Sequence, residues 1–373
     1  MLAEILNFQG ANPILGMGSL SKIIYEQRIR KLTGDKAMCE TCDAKKVPGT
    51  DGDKYIPYEE RTGETSTVYF TRNLSAEGLK KIYEKIQENM KGKTAIKLHT
   101  GEQHGPNIIP RPWVQELIEK DMPDATIVET NTYYEGDRYT TGQHRETLKV
   151  NGWTFCPVDI MDEEGTVDLP VKDGKWFDHM TMGSHITDYD SMLVLTHFKG
   201  HTMGGFGGSN KNIGIGCADG RIGKGMIHTV EGSSNMWSIA EEELMERITE
   251  SSKATVDHFG KQIAYINCLR NMSVSCDCEG IGAEPVVTPN IGILASTDIL
   301  AIDQASVDLV FALGEDDRKA LVERITTRHG LRQLTYMKEM GMGNDRYHLI
   351  DIDNDDAEIT LADAVKDVVP FEG

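Results

Sequence analysis

From Thr67 onward the chain repeats one pattern: a short apolar run, a polar loop, then a stretch with apolar residues at helical spacing. TVYF, TAIKLH, ATIVET, DSMLVLTHF, QIAYINCL and IGILAST read as strands. They are short, rich in β-branched residues and bounded by turn formers. Between them, AEGLKKIYEKIQENM carries Leu79, Ile82 and Ile86 on one face behind a capping Ser75. WVQELIEKD, QHRETLKVNG, IAEEELMERITESSKATVDHFG, AIDQASVDLVFAL and DDRKALVERITTRHG read as further helices. Strands that alternate with helices need crossover connections. The pattern therefore predicts an α/β fold, a mostly parallel sheet with helices on both faces. Ligands of such sheets bind beyond the carboxyl ends of the strands. Three of those ends carry polar loops, HTGEQHG, NTYYEGDR and THFKGHTMGGFGG, and the pattern predicts that they face one crevice.

Residues 1–65 lack this alternation and read as a largely irregular extension, with one short helix at 19–32 and a lone C-x-x-C at Cys39 and Cys42. The α/β domain is expected over 66–350, followed by an acidic C-terminal tail over 351–373. The formal net charge of −20 argues against nucleic acid, whose phosphates require clustered Lys and Arg. Every apolar run falls far below the ~20 residues that span a bilayer. The first residues carry a glutamate where a secretion signal has positive charge. A soluble, cytoplasmic chain is expected. Against the acidic background, Lys199, Lys211, Arg221 and Lys224 stand out as a local cationic cluster.

That cluster surrounds HFKGHTMGGFGGSNKNIGIG, residues 197–216, in which almost nothing could build a core. A flexible surface loop is the plain reading. Its place after a buried-type strand and its interleaved His, Lys and Asn point instead to a site. Gly204, Gly205, Gly207 and Gly208 would let backbone N–H groups approach an anion, with Lys199, Asn210 and Asn212 adding contacts. Lys211 supplies a point charge, and His197, His201 and His228 are candidates for metal ligation or acid/base work. Asn131, Arg138 and Arg111, on neighbouring loops, are candidate cofactor contacts, Arg111 as a carboxylate clamp. The stretch is not a Walker loop, since asparagine follows its lysine, and a dinucleotide fingerprint would need an acidic partner that is not evident. Asp159 and Asp162 read as turn residues, and His179 and His185 as a cap and a solvated residue.

Cys276 and Cys278, in SVSCDCEG, are a C-x-C pair. Two thiolates cannot complete a zinc or iron–sulfur site, which wants four ligands. Metal ligation completed by Cys268, His197 or the Cys39/Cys42 pair, a redox pair and plain structural cysteines all stay open. Cys156, Cys217 and Cys268 read as free buried thiols.

Several long segments, among them KLHTGEQHGPNIIPRP, VETNTYYEGDRYTTGQH, PVDIMDEEG, HFKGHTMGGFGGSNKNIGIG, SVSCDCEG and GILASTDILAIDQASVDLV, resemble the domain of unknown function family 362 over residues 67–349. The nearest branch is the clostridial type, labelled uncharacterised iron–sulfur centre proteins. Some members carry an added C-x-x-C-x-x-C-x-x-x-C-P segment, which this chain lacks. A more distant similarity joins the glycine-rich stretch to the nickel-pincer lactate racemases. It implies a two-lobed architecture, Lys211 holding the pincer cofactor, His228 ligating nickel and His201 acting as acid/base. Ten residues separate His201 from Lys211 and seventeen separate Lys211 from His228, close to the racemase spacing. NTYYEGDRYTT lacks the second catalytic histidine of that family, and His144 is the nearest one.

Three functions follow as expectations. The first is an enzyme acting on a small anionic metabolite with a metal ion (nickel, zinc or iron) or an organometallic cofactor. The second is an iron–sulfur protein built on Cys276 and Cys278, serving a redox partner. The third is a non-catalytic module that binds phosphate or another anion. Convergence of the histidines and lysines would favour the first.

Overall fold

A computed structural model describes residues 52–233 and 235–371. The expected helix at 19–32 and the Cys39/Cys42 pair lie outside the described residues. The chain runs β1 (Thr65–Thr71), α1 (Ala76–Glu84), β2 (Thr94–Lys97), α2 (Arg111–Asp121), β3 (Thr126–Glu129), α3 (Thr141–Val150) and β4 (Val158–Ile160). A side hairpin of β5 (Thr166–Pro170) and β6 (His179–Gly183) precedes β7 (Ser191–His197). Then come β8 (Lys199–His201), β9 (Gly205–Gly207), α4 (Ser209–Gly216), α5 (Ile222–His228), α6 (Glu241–Phe259), β10 (Ile263–Leu269) and β11 (Gly292–Ser296). The chain closes with α7 (Ile299–Ala312), α8 (Glu315–Thr327), α9 (Arg332–Glu339), β12 (Arg346–Asp351), β13 (Ala357–Glu358) and α10 (Leu361–Val365).

The main sheet has the order β13-β12-β1-β11-β10-β7-β2-β3-β4. From β10 through β4 every neighbour is parallel, and β1 is parallel to β12. Only β11, against β1 and β10, and the edge strand β13 run antiparallel. The mostly parallel α/β sheet is thus as expected. Period-two alternation divides its core between two faces. Met192 and Val194 of β7 pack on one side with α4, α6 and α7, while Leu193 and Leu195 pack on the other with α1 and α2. Strands buried on both faces read as unbroken apolar runs, which is why DSMLVLTHF and QIAYINCL were legible. No helix among the described residues is long and apolar enough to cross a membrane.

Both ends of the described chain are stitched to the sheet. Arg61 pairs with Asp308 at 2.6 Å, with both groups buried. The segment expected as an acidic tail adds β13 to β12 and folds α10 behind its Thr360 cap, burying Ala364.

The glycine-rich stretch is not a loop. It forms the β8–β9 hairpin and helix α4. Its glycines mainly allow close packing. A Cβ on Gly216 would fall 2.3 Å from Lys97 Cε, and one on Gly208 would fall 2.5 Å from Asp303 Oδ1. Gly208 has no side chain to cap α4, so Asp303 of α7 does it from a distance. Its carboxylate accepts from the N–H groups of Ser209 (2.7 Å) and Asn210 (2.9 Å) and from Asn267 Nδ2 (2.9 Å). Asp303→Ala would leave these buried donors unsatisfied and should cost about 3 kcal/mol in urea unfolding. A loss below about 0.5 kcal/mol would show that α4 does not depend on this cap.

Candidate functional site

The sheet sets β7, β2 and β3 side by side and parallel, so their carboxyl ends meet. A buried ion network fastens the three polar loops there. Lys97, the last residue of β2, donates to Glu129 Oε2 (2.9 Å), Asn212 Oδ1 (3.1 Å) and the Leu98 carbonyl (3.0 Å). Glu129, the last residue of β3, also accepts from the N–H and hydroxyl of Thr100 and faces Arg138 at 3.4 Å. Arg138 donates to Glu102 through Nε (2.9 Å), and Tyr134 donates to the same carboxylate (2.6 Å). Burial alone would raise the Glu129 carboxyl, but Lys97 and Arg138 outweigh it and hold the group far below the usual carboxylate range.

A second buried knot lies at the end of β7. His197 Nδ1 faces the Asp277 carboxylate at 2.9 Å and its Nε2 faces the Arg270 carbonyl at 2.8 Å. Lys199 pairs with the same Asp277 at 3.2 Å. Burial disfavours the Asp277 charge, yet His197 and Lys199 outweigh that and hold its carboxyl well below normal.

Above these buried networks sit three residues that are only partly buried: His201, Lys211 and His228. The stem of Lys211 runs past Gly204 and Gly207. Its ammonium has no hydrogen-bond or ion-pair partner among the described residues. Burial, then Lys199, Lys97 and Arg138, push it down to about 7, with Asp277 opposing. His201 Nδ1 accepts from the N–H groups of Met203 (3.1 Å) and Gly204 (2.9 Å), so the ring proton of its neutral form sits on Nε2. Burial and the charges of Lys211 and Lys199 keep this ring neutral, well below the usual histidine range. His228 has the opposite tautomer. Its Nδ1–H donates to the Lys224 carbonyl at 2.8 Å, which leaves Nε2 as a bare acceptor. Burial pushes it down to about 4, helped by Lys211 and Lys224 against the carbonyl bond. Tyr133 stacks on its ring, with centroids 6.1 Å apart.

His201 and Lys211 thus both lie against Gly204, and His228 is near enough for its charge and theirs to act on one another. Several other expected site residues are scaffold. Both ring nitrogens of His197 face acceptors, which removes it as a proton carrier. Asn210 is fully buried and donates to Thr249 and Gln333. Asn212 bridges the Lys97 and Leu195 carbonyls at the strand ends. Asn131 is held by Asp162 and Thr141, and Arg138 by its carboxylates. Arg111 is exposed at the start of α2 and makes no ion pair with this network. The Gly200 and Gly204 N–H groups are already bonded, to the Ser273 carbonyl and to His201. Gly205 (φ +73°) turns the hairpin against Gly330. The Gly204 amide is therefore not free to cradle an anion. His144 is fully buried with neither nitrogen hydrogen-bonded, and burial together with Arg138 pushes it down to about 3, so it lines the network and does not supply a second base.

Lys97, Glu102, Tyr134 and Lys224 matter more than the sequence suggested. A single lysine inside the apolar run TAIKLH was the signal for Lys97, since a buried lysine has to be paired. Lys224 reaches back to Thr130 and to the Asn131 carbonyl, and burial pushes it down to about 8.

Two residue groups among the described residues could hold a metal ion. In one, a ring nitrogen of His201 and the sulfurs of Cys276 and Cys278 lie within 4.8 Å of one another. The other is Asp159, Glu163 and His185. In the second, Glu163 is already bound to Arg145, and His185 to Asp159 and Glu164. Cys276 and Cys278 are joined as a disulfide, so they are thiolate ligands only when reduced. Cys217 and Cys268 are buried thiols of the two cores, and burial pushes them up to about 11 and about 12. Neither joins the pair, so no four-cysteine cluster site forms among the described residues.

The family model named Domain of unknown function (DUF362) matches residues 94–308. No curated protein matches the sequence. Among solved structures, the lactate racemase apoprotein from Thermoanaerobacterium thermosaccharolyticum aligns at 13% identity and a TM-score of 0.37, covering 84% of this chain and 88% of that one. A protein from Thermotoga maritima aligns at 14% identity and a TM-score of 0.32, over 52% of this chain and 49% of its own.

Proposed function

The chain belongs to the DUF362 family, and within that frame we propose that it is an enzyme that binds a small anionic metabolite at Lys211, holds it by a hydrogen bond from His201 and takes a proton from it at His228. One observation carries this reading: a partly exposed lysine without a counterion stands between other cations, flanked by two neutral histidines in opposite tautomers. A bound carboxylate or phosphate supplies the missing charge. His201 Nε2–H can hydrogen-bond an oxygen of the bound anion, and His228 Nε2 is a bare acceptor that can take a proton from it. General-base action of this kind is worth typically ~10²–10⁴ in rate. A non-catalytic anion module would not need either histidine in this state.

The donor set also bears on a metal. His228 fixes its Nδ1–H on a carbonyl and presents Nε2, as metal-ligating histidines do. Neither candidate metal group includes His228, however, so a metal there would need its remaining donors from a bound organic group, with Lys211 as the anchor. The reduced Cys276/Cys278 pair with His201 would suit a zinc- or iron-class ion, at the cost of the two N–H bonds that fix the His201 tautomer. The acid–base reading requires neither.

The test uses the depressed amine. Trace acylation with acetic anhydride should label Lys211 with a midpoint near pH 7, against the ordinary value of about 10.4 for exposed lysines. An anion pairs with the charged form, so millimolar inorganic phosphate or acetate should move that midpoint upward and slow the labelling at pH 8. Labelling at the ordinary midpoint, or no response to either anion, would sink the assignment.

A further inference from the structure

We propose that Cys276 and Cys278 form a redox-active disulfide, beside His201, that exchanges electrons with small thiols. The argument is independent of Lys211. The bridge links residues separated by two positions, with Cα atoms 5.2 Å apart. A ring that small restricts the unfolded chain little, so it is a poor structural staple. The loop is held without it. Ser275 and Thr202 both donate to Glu279 (2.8 and 2.5 Å), the Cys276 N–H reaches the same carboxylate (3.3 Å), and the Glu284 N–H returns to Ser275 (3.0 Å). The sulfurs therefore stay side by side when the bridge opens.

The two sulfurs are not equivalent. Cys276 is buried, at 3% exposure, and Cys278 is partly exposed. The Cys278 N–H donates to Cys276 Sγ at 3.2 Å, a bond that stabilises a thiolate on the inner sulfur. Asp277 between them looks like an obstacle to a thiolate, but its carboxylate is turned away and paired with His197 and Lys199. A His201 ring nitrogen lies within 4.8 Å of both sulfurs. His201 Nδ1 already accepts from two backbone N–H groups, so that nitrogen offers the pair no free lone pair.

The chemistry balances as thiol–disulfide exchange. A thiolate, RS⁻, attacks Cys278 Sγ. The Cys276–Cys278 bond breaks and Cys276 departs as the thiolate held by the Cys278 N–H. A second RS⁻ attacks the substrate sulfur of the mixed disulfide, RSSR leaves, and Cys278 becomes the second thiolate. The two protons lost by the thiols end on the two cysteines. Two electrons pass from two RSH to the protein disulfide, and the reverse sequence oxidises the dithiol.

The full chain is equilibrated in reduced/oxidised glutathione buffers without oxygen, quenched with acid, alkylated with N-ethylmaleimide in denaturant and mapped by peptide mass. Cys276 and Cys278 should gain alkyl groups together, along a single two-electron curve, while the fold stays intact by circular dichroism. Cys276→Ser should trap a mixed disulfide with glutathione on Cys278, whereas Cys278→Ser should leave the buried Cys276 largely unmodified. The curve is read in buffer free of phosphate and acetate, so its outcome does not depend on that of the anion site. A pair that stays oxidised until the protein unfolds would overturn the proposal. So would a reduced protein that retains stoichiometric zinc or iron and resists oxidation until a chelator is added.

Discussion

Lys211→Met should lower affinity for carboxylate and phosphate ligands by at least about 100-fold, since a partly desolvated charge-assisted contact is worth about 3 kcal/mol. Methionine keeps the unbranched apolar stem that lies along Gly204 and Gly207, so the walls of the crevice stay in place. The fold should not suffer. Among the described residues Lys211 has no partner to orphan, and its amine is pushed down to about 7 because burial and the charges of Lys199, Lys97 and Arg138 oppose its protonation. A lysine with a folded value below its unfolded one detracts from stability wherever the unfolded chain is protonated, which covers every pH below about 10. The variant should thus unfold at the same temperature as the wild type or a higher one at pH 7. His201, relieved of its largest neighbouring charge, should titrate closer to the normal histidine range, which proton NMR of the ring would report. Isothermal calorimetry with phosphate and acetate, paired with thermal unfolding, separates the outcomes. Unchanged affinity would refute the anchor. Lost affinity with lost folding would mean that Lys211 is structural.

The fold was legible because its signals are local. Short apolar runs such as DSMLVLTHF, bounded by polar segments, read as strands buried on both faces, and Ser75 and Gly152 mark helix ends where the structure has them. The site was legible only in outline. His201, Lys211 and His228 stand out by type and spacing, and the sheet does bring them together. What no spacing reveals is which side chains are already spoken for. His197 and His201 lie four residues apart in the same motif, yet one is locked between Asp277 and Arg270 while the other is open. That difference comes from a loop eighty residues away. The glycines misled for a related reason. A glycine that lets an anion approach and one that lets Lys97 or Asp303 approach are the same letter, and only tertiary packing tells them apart. The acidic C-terminus read as a tail because β13 is two residues long and α10 five, too short for periodicity to register.

Glu129→Gln should be the most destabilising single change at the site, costing about 3–5 kcal/mol in denaturant unfolding at pH 7. The amide keeps the shape and one acceptor for Thr100, but it strips the countercharge from Lys97 and weakens that of Arg138, both almost fully buried. A lysine at 1% exposure cannot recover its hydration without breaking the sheet end it belongs to. If the loss comes from the stranded charge and not from a misfit amide, adding Lys97→Met should return much of it. The double variant should be more stable than Glu129→Gln alone, a coupling that a double-mutant cycle measures. The pH dependence gives a second check. The folded Glu129 carboxyl lies below its unfolded value of about 4.3, so its contribution is complete above that pH and drains away as the pH falls toward the folded value. Wild type and Glu129→Gln should therefore differ most at neutral pH and draw together as the pH falls below about 4. Curves that stay parallel through that window would mean that the carboxylate charge is not what holds the three loops together.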